Sequence, residues 1–348
     1  GPTMARRSAD ADTLSNGSHT GIRRSDHFLA GLRSASRVTF VSHVQPDPDC
    51  LGSMLGLAHL VETRLGKPTR MSRDGLINRA ENRAMVELLG LDLVRVENLE
   101  FQPGEAIVMV DSQPNTGRHS FGDIPLYAVL DHHTTPGDLD DVPFVDVRPS
   151  LGATCTLVTR YLIEQDVPVP ARIATALTYG IETECSGYPR EATQVDDGAL
   201  HFLFPLADKD LLAQIRNARL PQSHFDVLVQ ALQNSLVYNR LVVSWVANLA
   251  QPEQAAEVVD FTVRFDQVDW ALCGGVCGDR LVLSLRTSLH GVKAGDLLRS
   301  VVGTLGRAGG HDRRAGGFVD LANRSQGDID GIQAELCRRM LKELHWEN

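Results

Sequence analysis

The stretch VTFVSHVQPDPDCLGSMLGLAHLVETRLG, Val38 to Gly66, decides how the chain is read. Val38–Ser42 is a short β-branched and aromatic run, the pattern of a buried strand. His43 follows at its carboxyl end, then a turn in which Pro46 and Pro48 continue neither strand nor helix. From Gly52 onward apolar residues fall at Met54, Leu55, Leu57, Ala58, Leu60 and Val61 on one helical face, and Gly66 with Pro68 ends the helix. A strand thus feeds a helix through a connection that carries His43, Asp47 and Asp49 within seven residues. Two carboxylates and an imidazole on one tight turn repel and desolvate each other unless a cation sits among them. Turn chemistry with a helix cap uses the same residue types, so the rest of the chain has to discriminate.

Working outward, a helix over Asp26–Leu32 precedes this unit. A strand near Thr69–Met71, a helix over Arg79–Leu89 and a strand around Leu93–Val96 follow it. Ala106–Val110 is a second buried strand and ends on Asp111. Leu126–Leu130 is a third and ends on Asp131, His132 and His133. Phe144–Val147 is a fourth, followed by helices over Ala153–Gln165 and Ala171–Tyr179. The second of these helices is expected to stop at Gly180 and open into an extended or irregular Ile181–Cys185. Strands alternating with helices predict an α/β fold with a doubly wound parallel sheet. In such sheets ligands bind outside the carboxyl ends of the strands. Three strands deliver His43, Asp111 and the Asp131–His133 cluster to that edge. Asp and His from several strand ends suit a two-metal site in which one carboxylate bridges both ions.

Residues 196–250 read as helical, including one helix from Phe225 to Trp245, and serve as a connector between domains. Beyond Val258 the texture predicts strands at Val259–Phe265, Trp270–Val276 and Arg280–Arg286, then a helix over Gly295–Leu305. A Gly-rich turn over Gly309–Gly317, a strand over Phe318–Leu321 and a helix over Ile329–Leu344 complete a smaller α/β domain. Between Arg280 and Arg314, seven Lys/Arg face two Asp, a local charge of +5 within a chain of net charge −10. Arg286, Arg313 and Arg314 beside a turn with exposed N–H groups suggest a phosphate or nucleotide clamp. The expected division is 1–20 as tag scar and disordered tail, 21–198 as catalytic domain, 199–255 as helical connector and 256–348 as substrate-binding domain, with a cleft between the two domains. Gly1-Pro2-Thr3 before Met4 reads as the scar of a cleaved purification tag, and residues 4–20 are polar and poor in apolar anchors.

At 348 residues and 43% hydrophobic content the chain can form two domains with proper cores. Its net acidity argues against holding long nucleic acid by bulk charge. The six cysteines (Cys50, Cys155, Cys185, Cys273, Cys277 and Cys337) show no paired CxxC spacing. They read as free thiols of a cytoplasmic protein. Cys273 and Cys277 have no second pair to complete a zinc site. The longest apolar run, Leu241–Ala250, holds a Ser and an Asn and is too short for a membrane span.

The motifs HVQPDPDCLGS (43–53), VMVDSQP (108–114), LDHH (130–133) and GIETE (180–184) resemble, in order, the four motifs of the DHH phosphoesterase superfamily. GGHDRRAGGF (309–318) is similar to the glycine-histidine signature of the DHH-associated C-terminal domain. Together they span residues 38–320, and the branch most resembled is the two-domain nanoRNase and pAp-phosphatase group with its RecJ-like core.

The resemblance implies two divalent ions, most often manganese. His43 and Asp47 would hold one ion, Asp49 and His132 the other, and Asp111 would bridge them. Asp131 would sit behind the site as an orienting carboxylate, with His133 near the scissile phosphate. Arg286, Gly309, Gly310, His311 and Arg314 would contact substrate. The chain departs from the family at Glu184, where an Asp is usual and Glu182 competes, and at Pro48, where a glycine is usual. In an extended segment Glu182 and Glu184 would face the same side, so only the motif alignment favours Glu184.

The implied activity is manganese-dependent hydrolysis of short RNA or DNA oligonucleotides (nanoRNase, exonuclease) and of nucleoside bisphosphates such as pAp. A phosphodiesterase of linear or cyclic dinucleotide signals, or a catalytically retired nucleotide-binding sensor, are the alternatives. An inorganic polyphosphatase suits the Gly-Gly-His turn less well. No membrane or long nucleic acid is expected as a partner, and a homodimer is left open.

Overall fold

The opening strand forms where its β-branched and aromatic residues are buried without a break. The structure, a computed structural model, describes residues 23–117, 119–134, 137–188 and 190–346. The tail at 1–20 lies outside them. The chain divides into two units, Gly1–Arg219 and Leu220–Asn348.

In the first unit the elements run α1 (Arg24–Ala30), β1 (Val38–Val41), α2 (Pro48–Leu65), β2 (Thr69–Arg73), α3 (Ala80–Leu88), β3 (Leu93–Arg95), β4 (Ala106–Val110), β5 (Ala128–Asp131), β6 (Phe144–Val147), α4 (Thr154–Glu164), α5 (Ala171–Cys185), α6 (Gln194–Leu203) and α7 (Lys209–Arg216). The six strands pair in parallel in the order β3-β2-β1-β4-β5-β6. Strand order therefore reverses between β1 and β4, which opens a crevice at their carboxyl ends. One face of the sheet, with Phe40, Val108, Val110 and Leu130, packs against α2, α4 and α5. The other face, with Val41, Ile107, Met109 and Val129, is covered by loop residues such as Phe121, Ile124 and Leu139. Among the described residues the β4–β5 and β5–β6 connections carry no helix, in keeping with Pro114, Gly117, Gly122, Pro125 and Pro143 along them.

Helix α2 is the centre of this unit, buried from Pro48 to Ala58 and again at Leu60 and Val61. Pro48 does not exclude helix, as its ring suggested: it occupies the first turn, where no N–H partner is lost. Asp47 caps that turn, accepting from the Cys50 N–H at 3.0 Å, and Gly66 closes the helix at φ 61°.

Gly180 corrects the sequence expectation most sharply. Helix α5 runs through it to Cys185. A Cβ there would stand 2.5 Å from Cys155 Sγ and 3.0 Å from the Pro48 carbonyl. Its glycine makes room for a close crossing of helices and does not end one.

The second unit holds α8 (Gln222–Gln233), β7 (Ser235–Tyr238), β8 (Leu241–Val246), α9 (Glu253–Thr262), β9 (Trp270–Cys277), β10 (Arg280–Thr287), α10 (Ala294–Val302), β11 (Gly306–Gly310), β12 (Arg314–Asp320) and α11 (Gln326–Glu343). Its sheet runs β11-β12-β10-β9-β8-β7, antiparallel except for β8–β9.

Three sequence expectations are corrected here. The helix over Phe225–Trp245 is α8 followed by a β-hairpin that turns at Asn239, φ 54°. The strand over Val259–Phe265 falls largely in α9. The Gly309–Gly317 turn is a hairpin in which Gly309 and Gly310 pair with Gly316 and Ala315. The stretch read as a helical connector is thus shared: α6 and α7 end the first unit, and α8, β7 and β8 begin the second. All six cysteines are free, and no helix among the described residues is long and apolar enough to cross a membrane.

Candidate metal centre

The carboxyl ends of β1, β4 and β5 bring the predicted acids and imidazoles together. His43 follows β1, and its Nδ1–H donates to the Val44 carbonyl at 2.8 Å. This turns Nε2 toward Asp111 Oδ2 at 3.5 Å and Asp47 Oδ2 at 3.8 Å. Asp111 follows β4 in the left-handed region at φ 55°, rare for a residue with a side chain. That conformation sits where the ladder is still anchored by the Asp111 N–H bond to Leu130 O at 2.9 Å. The other carboxylate oxygen, Oδ1, lies 3.5 Å from His132 Nε2 and accepts from Thr154 Oγ1 at 3.1 Å. Asp111 therefore offers one oxygen to each imidazole.

Asp49 stands in the first turn of α2, fully buried. It accepts the N–H groups of Thr154 at 3.0 Å and Cys155 at 2.8 Å, so α2 caps the start of α4. Asp196 fixes the same turn, accepting from the Gly152 N–H at 2.9 Å and the Thr156 hydroxyl at 2.5 Å. Asp49 also lies 3.4 Å from His132 Nε2. His132 in turn donates from Nδ1 to the Leu151 carbonyl at 3.1 Å.

Because α5 continues as a helix, Glu182 and Glu184 point to different sides, about 200° apart. Glu182 pairs with Arg216, Nε to Oε2 at 3.0 Å. Glu184 joins Asp49 and His132 in one group of ligand atoms, and His43, Asp47 and Asp111 form another; within each group the ligand atoms lie within 4.8 Å of one another.

Burial and mutual repulsion perturb the acids and the imidazole of this cluster strongly. Burial, reinforced by Asp111, pushes the Asp49 carboxyl well above its ordinary range. Burial also opposes ionisation of Asp111, but the facing imidazoles of His132 and His43 outweigh it and hold that carboxyl well below. Burial disfavours the His132 imidazolium, and Asp111 and Asp49 more than reverse this. His132 Nε2 is buried between two carboxylates with no hydrogen-bond partner. Such an atom is what a bound divalent ion would satisfy, and imidazole with carboxylate is a suitable donor set.

Behind this cluster His133 Nδ1 bonds Asp131 Oδ1 at 2.6 Å. Burial works against ionised Asp131, yet the His133 bond keeps its carboxyl below the ordinary value. The structural roles of Thr154, Gln113 and His119 were not read from the sequence. His119 places its ring nitrogens 3.2 Å from the Ser42 carbonyl and 3.0 Å from the Gln113 carbonyl, tying the loop after β4 to the end of β1. Thr154 opens α4 directly after Leu151-Gly-Ala, and its hydroxyl was the signal available there.

In the second unit, Arg286 donates from Nε to Asp260 Oδ1 at 2.8 Å. The His311 N–H is engaged by the Arg314 carbonyl at 2.8 Å, so it is not an open donor of an anion cradle. Arg313 lies 3.4 Å from His290 Nδ1.

A parallel sheet with an order reversal, carrying a buried acid–imidazole cluster at that reversal, defines an α/β protein with a candidate two-ion centre. Residues 37–181 match the DHH family, N-terminal domain. An uncharacterized protein of Methanocaldococcus jannaschii is 29% identical over 81% of this chain. A probable manganese-dependent inorganic pyrophosphatase of Enterococcus faecalis is 26% identical over 51% of it. The chain spans 57% of the length of each of these relatives. The fold is similar to that of an exopolyphosphatase-related protein from Bacteroides fragilis, with a TM-score of 0.75 at 17% identity, covering 92% of this chain and 97% of that one.

Proposed function

We propose that this centre hydrolyses phosphoesters with two divalent ions, manganese by preference, and that its substrates are short oligonucleotides and nucleoside bisphosphates. The observation that supports this most is the Asp111 carboxylate, with one oxygen 3.5 Å from His43 and the other 3.5 Å from His132. His43, Asp47 and Asp111 would hold one ion; Asp49, His132, Glu184 and Asp111 the other. When bound, such ions neutralise phosphate oxygens and lower the pKa of a water enough to supply hydroxide near neutral pH. The chain's own residues orient and stabilise. Asp131 fixes the His133 ring through Nδ1, so His133 meets charge developing at the scissile phosphate from Nε2. In this reading Arg286, Gly309, Gly310, His311 and Arg314 contact substrate phosphates, with Arg286 keeping one edge of its guanidinium on Asp260.

Charge favours short substrates. A chain of net charge −10 with one +5 segment gains from a few phosphates and repels a long polyanion elsewhere on its surface. The pyrophosphatase relative favours inorganic pyrophosphate as a second substrate reading.

The test is a Mn²⁺ panel of pAp, pyrophosphate, a cyclic dinucleotide and a labelled ladder from the dimer to about 24 nucleotides. Turnover should require divalent ions and fade beyond roughly five nucleotides. Pyrophosphate cleaved alone would replace this reading with the second. Equal rates along the ladder would remove length selection, and ion binding without any turnover would favour a sensor.

A further inference from the structure

The loop after β4 carries a buried amide that neither the metal ligands nor the expected substrate contacts account for. Gln113 is 4% exposed, and Asp131, which it meets, is fully buried. Its Nε2 donates to Asp131 Oδ2 at 3.0 Å and to the His133 carbonyl at 3.3 Å. Its Oε1 accepts from the Gly137 N–H at 2.8 Å. Gly137 is seated on this side chain: a Cβ there would lie 2.7 Å from Gln113 Cβ and 2.6 Å from the Pro114 carbonyl. Asp131 is thereby held from both ends, Oδ2 by Gln113 and Oδ1 by His133.

The choice of residue follows from its inventory of donors and acceptors. Only an amide offers two N–H donors and an acceptor on one uncharged tip. A carboxylate in its place would set a second negative charge against Asp131, and an apolar side chain would leave a buried oxygen of Asp131 and the Gly137 N–H without their bonds.

We propose that Gln113 is a positioning residue that fixes Asp131 and, through it, the ring orientation of His133. This rests on the role given to His133 above, so its test has an arm that needs no turnover. In the Mg²⁺-loaded full chain with ¹⁵N-labelled histidine, the His133 Nδ1–H bonded to Asp131 should give a far-downfield proton signal, to be assigned by its disappearance in His133→Asn. Gln113→Met should shift or broaden that signal while both ions stay bound. On a dinucleotide, kcat should fall about 10- to 100-fold, the usual effect of losing a partner that orients a site residue, with KM moving less than about 2-fold.

A structural role alone would lower activity additively with other changes. Here, in an Asp131→Asn background, Gln113→Met should cost nothing further. Should Gln113→Met not fold, Gln113→Glu keeps the shape, replaces the donor facing Asp131 with an acceptor and adds a negative charge beside it. An unchanged signal, full additivity with Asp131→Asn, or a kcat loss accompanied by loss of ions would each overturn the proposal. If the wild-type chain cleaves none of the phosphoesters, the reading above fails and the histidine signal alone decides on Gln113.

Discussion

Glu105 and Asp49 lie at the two edges of the first sheet, and their carboxyls are moved in opposite directions. At the amino edge, just before β4, Glu105 has a side chain only 1% exposed. Arg37 reaches it at 2.9 and 3.1 Å, Arg70 at 2.8 Å, the Gln102 N–H at 2.8 Å, and Thr39 donates as well. Burial raises its pKa, but these donors win and bring it from 4.5 to about 2. At the carboxyl edge Asp49 faces Asp111 and Glu184, and its carboxyl is pushed up. Among Asp47, Asp49, Asp111 and Asp131 the described ion pairs come from the imidazoles of His43, His132 and His133, and none of those pairs comes from Lys or Arg. Glu105 is held by permanent cations, whereas Asp49 and Asp111 face each other across His132 Nε2, which has no hydrogen-bond partner, an arrangement that suits a divalent ion.

The largest expected effect lies at the carboxyl edge. Glu184→Gln removes a charge from the Asp49–His132 group and should lower kcat by on the order of a thousandfold or more. Glu182→Gln, which loses only a half-exposed pair with Arg216, should retain most activity and cost at most about 1 kcal/mol of stability. The reverse outcome in steady-state assays of the two variants would place the ligand two residues earlier.

The smallest effect belongs to the amino edge. Glu105→Gln should leave turnover and ion content intact and destabilise the first unit by about 2 kcal/mol in urea titrations. Because the folded pKa is depressed, this stabilisation is present above about pH 4.5 and is lost as pH falls toward about 2. Glu105→Gln should flatten stability across that window. An unaltered acid dependence would mean Glu105 is not the group that is neutralised.

Much of the carboxyl edge was legible in the sequence because His43, Asp111 and Asp131 each follow or close an apolar run. A buried strand that ends on His43, Asp111 or Asp131 states both its own boundary and its polar cargo, and parallel topology carries these to one edge. What stayed hidden depends on tertiary contact. Gly180 reads as a helix stop, yet its missing side chain serves Cys155 and α2, and no local pattern encodes that. The left-handed Asp111, the Thr154 hydroxyl and the Gln113 amide acquire their roles only from neighbours distant in the chain. In the second unit, short apolar runs such as Val259–Phe265 fit helix and strand equally well, and the hairpin turn at Asn239 passed for the middle of a helix.

The central claim is that Asp111 joins two ion sites. Metal content by mass spectrometry after equilibrium dialysis against Mn²⁺ tests it directly. Wild type should hold two ions per chain, His43→Ala should lose chiefly one, and Asp111→Ala should lose both together. Full occupancy in folded Asp111→Ala would contradict the shared-ligand centre.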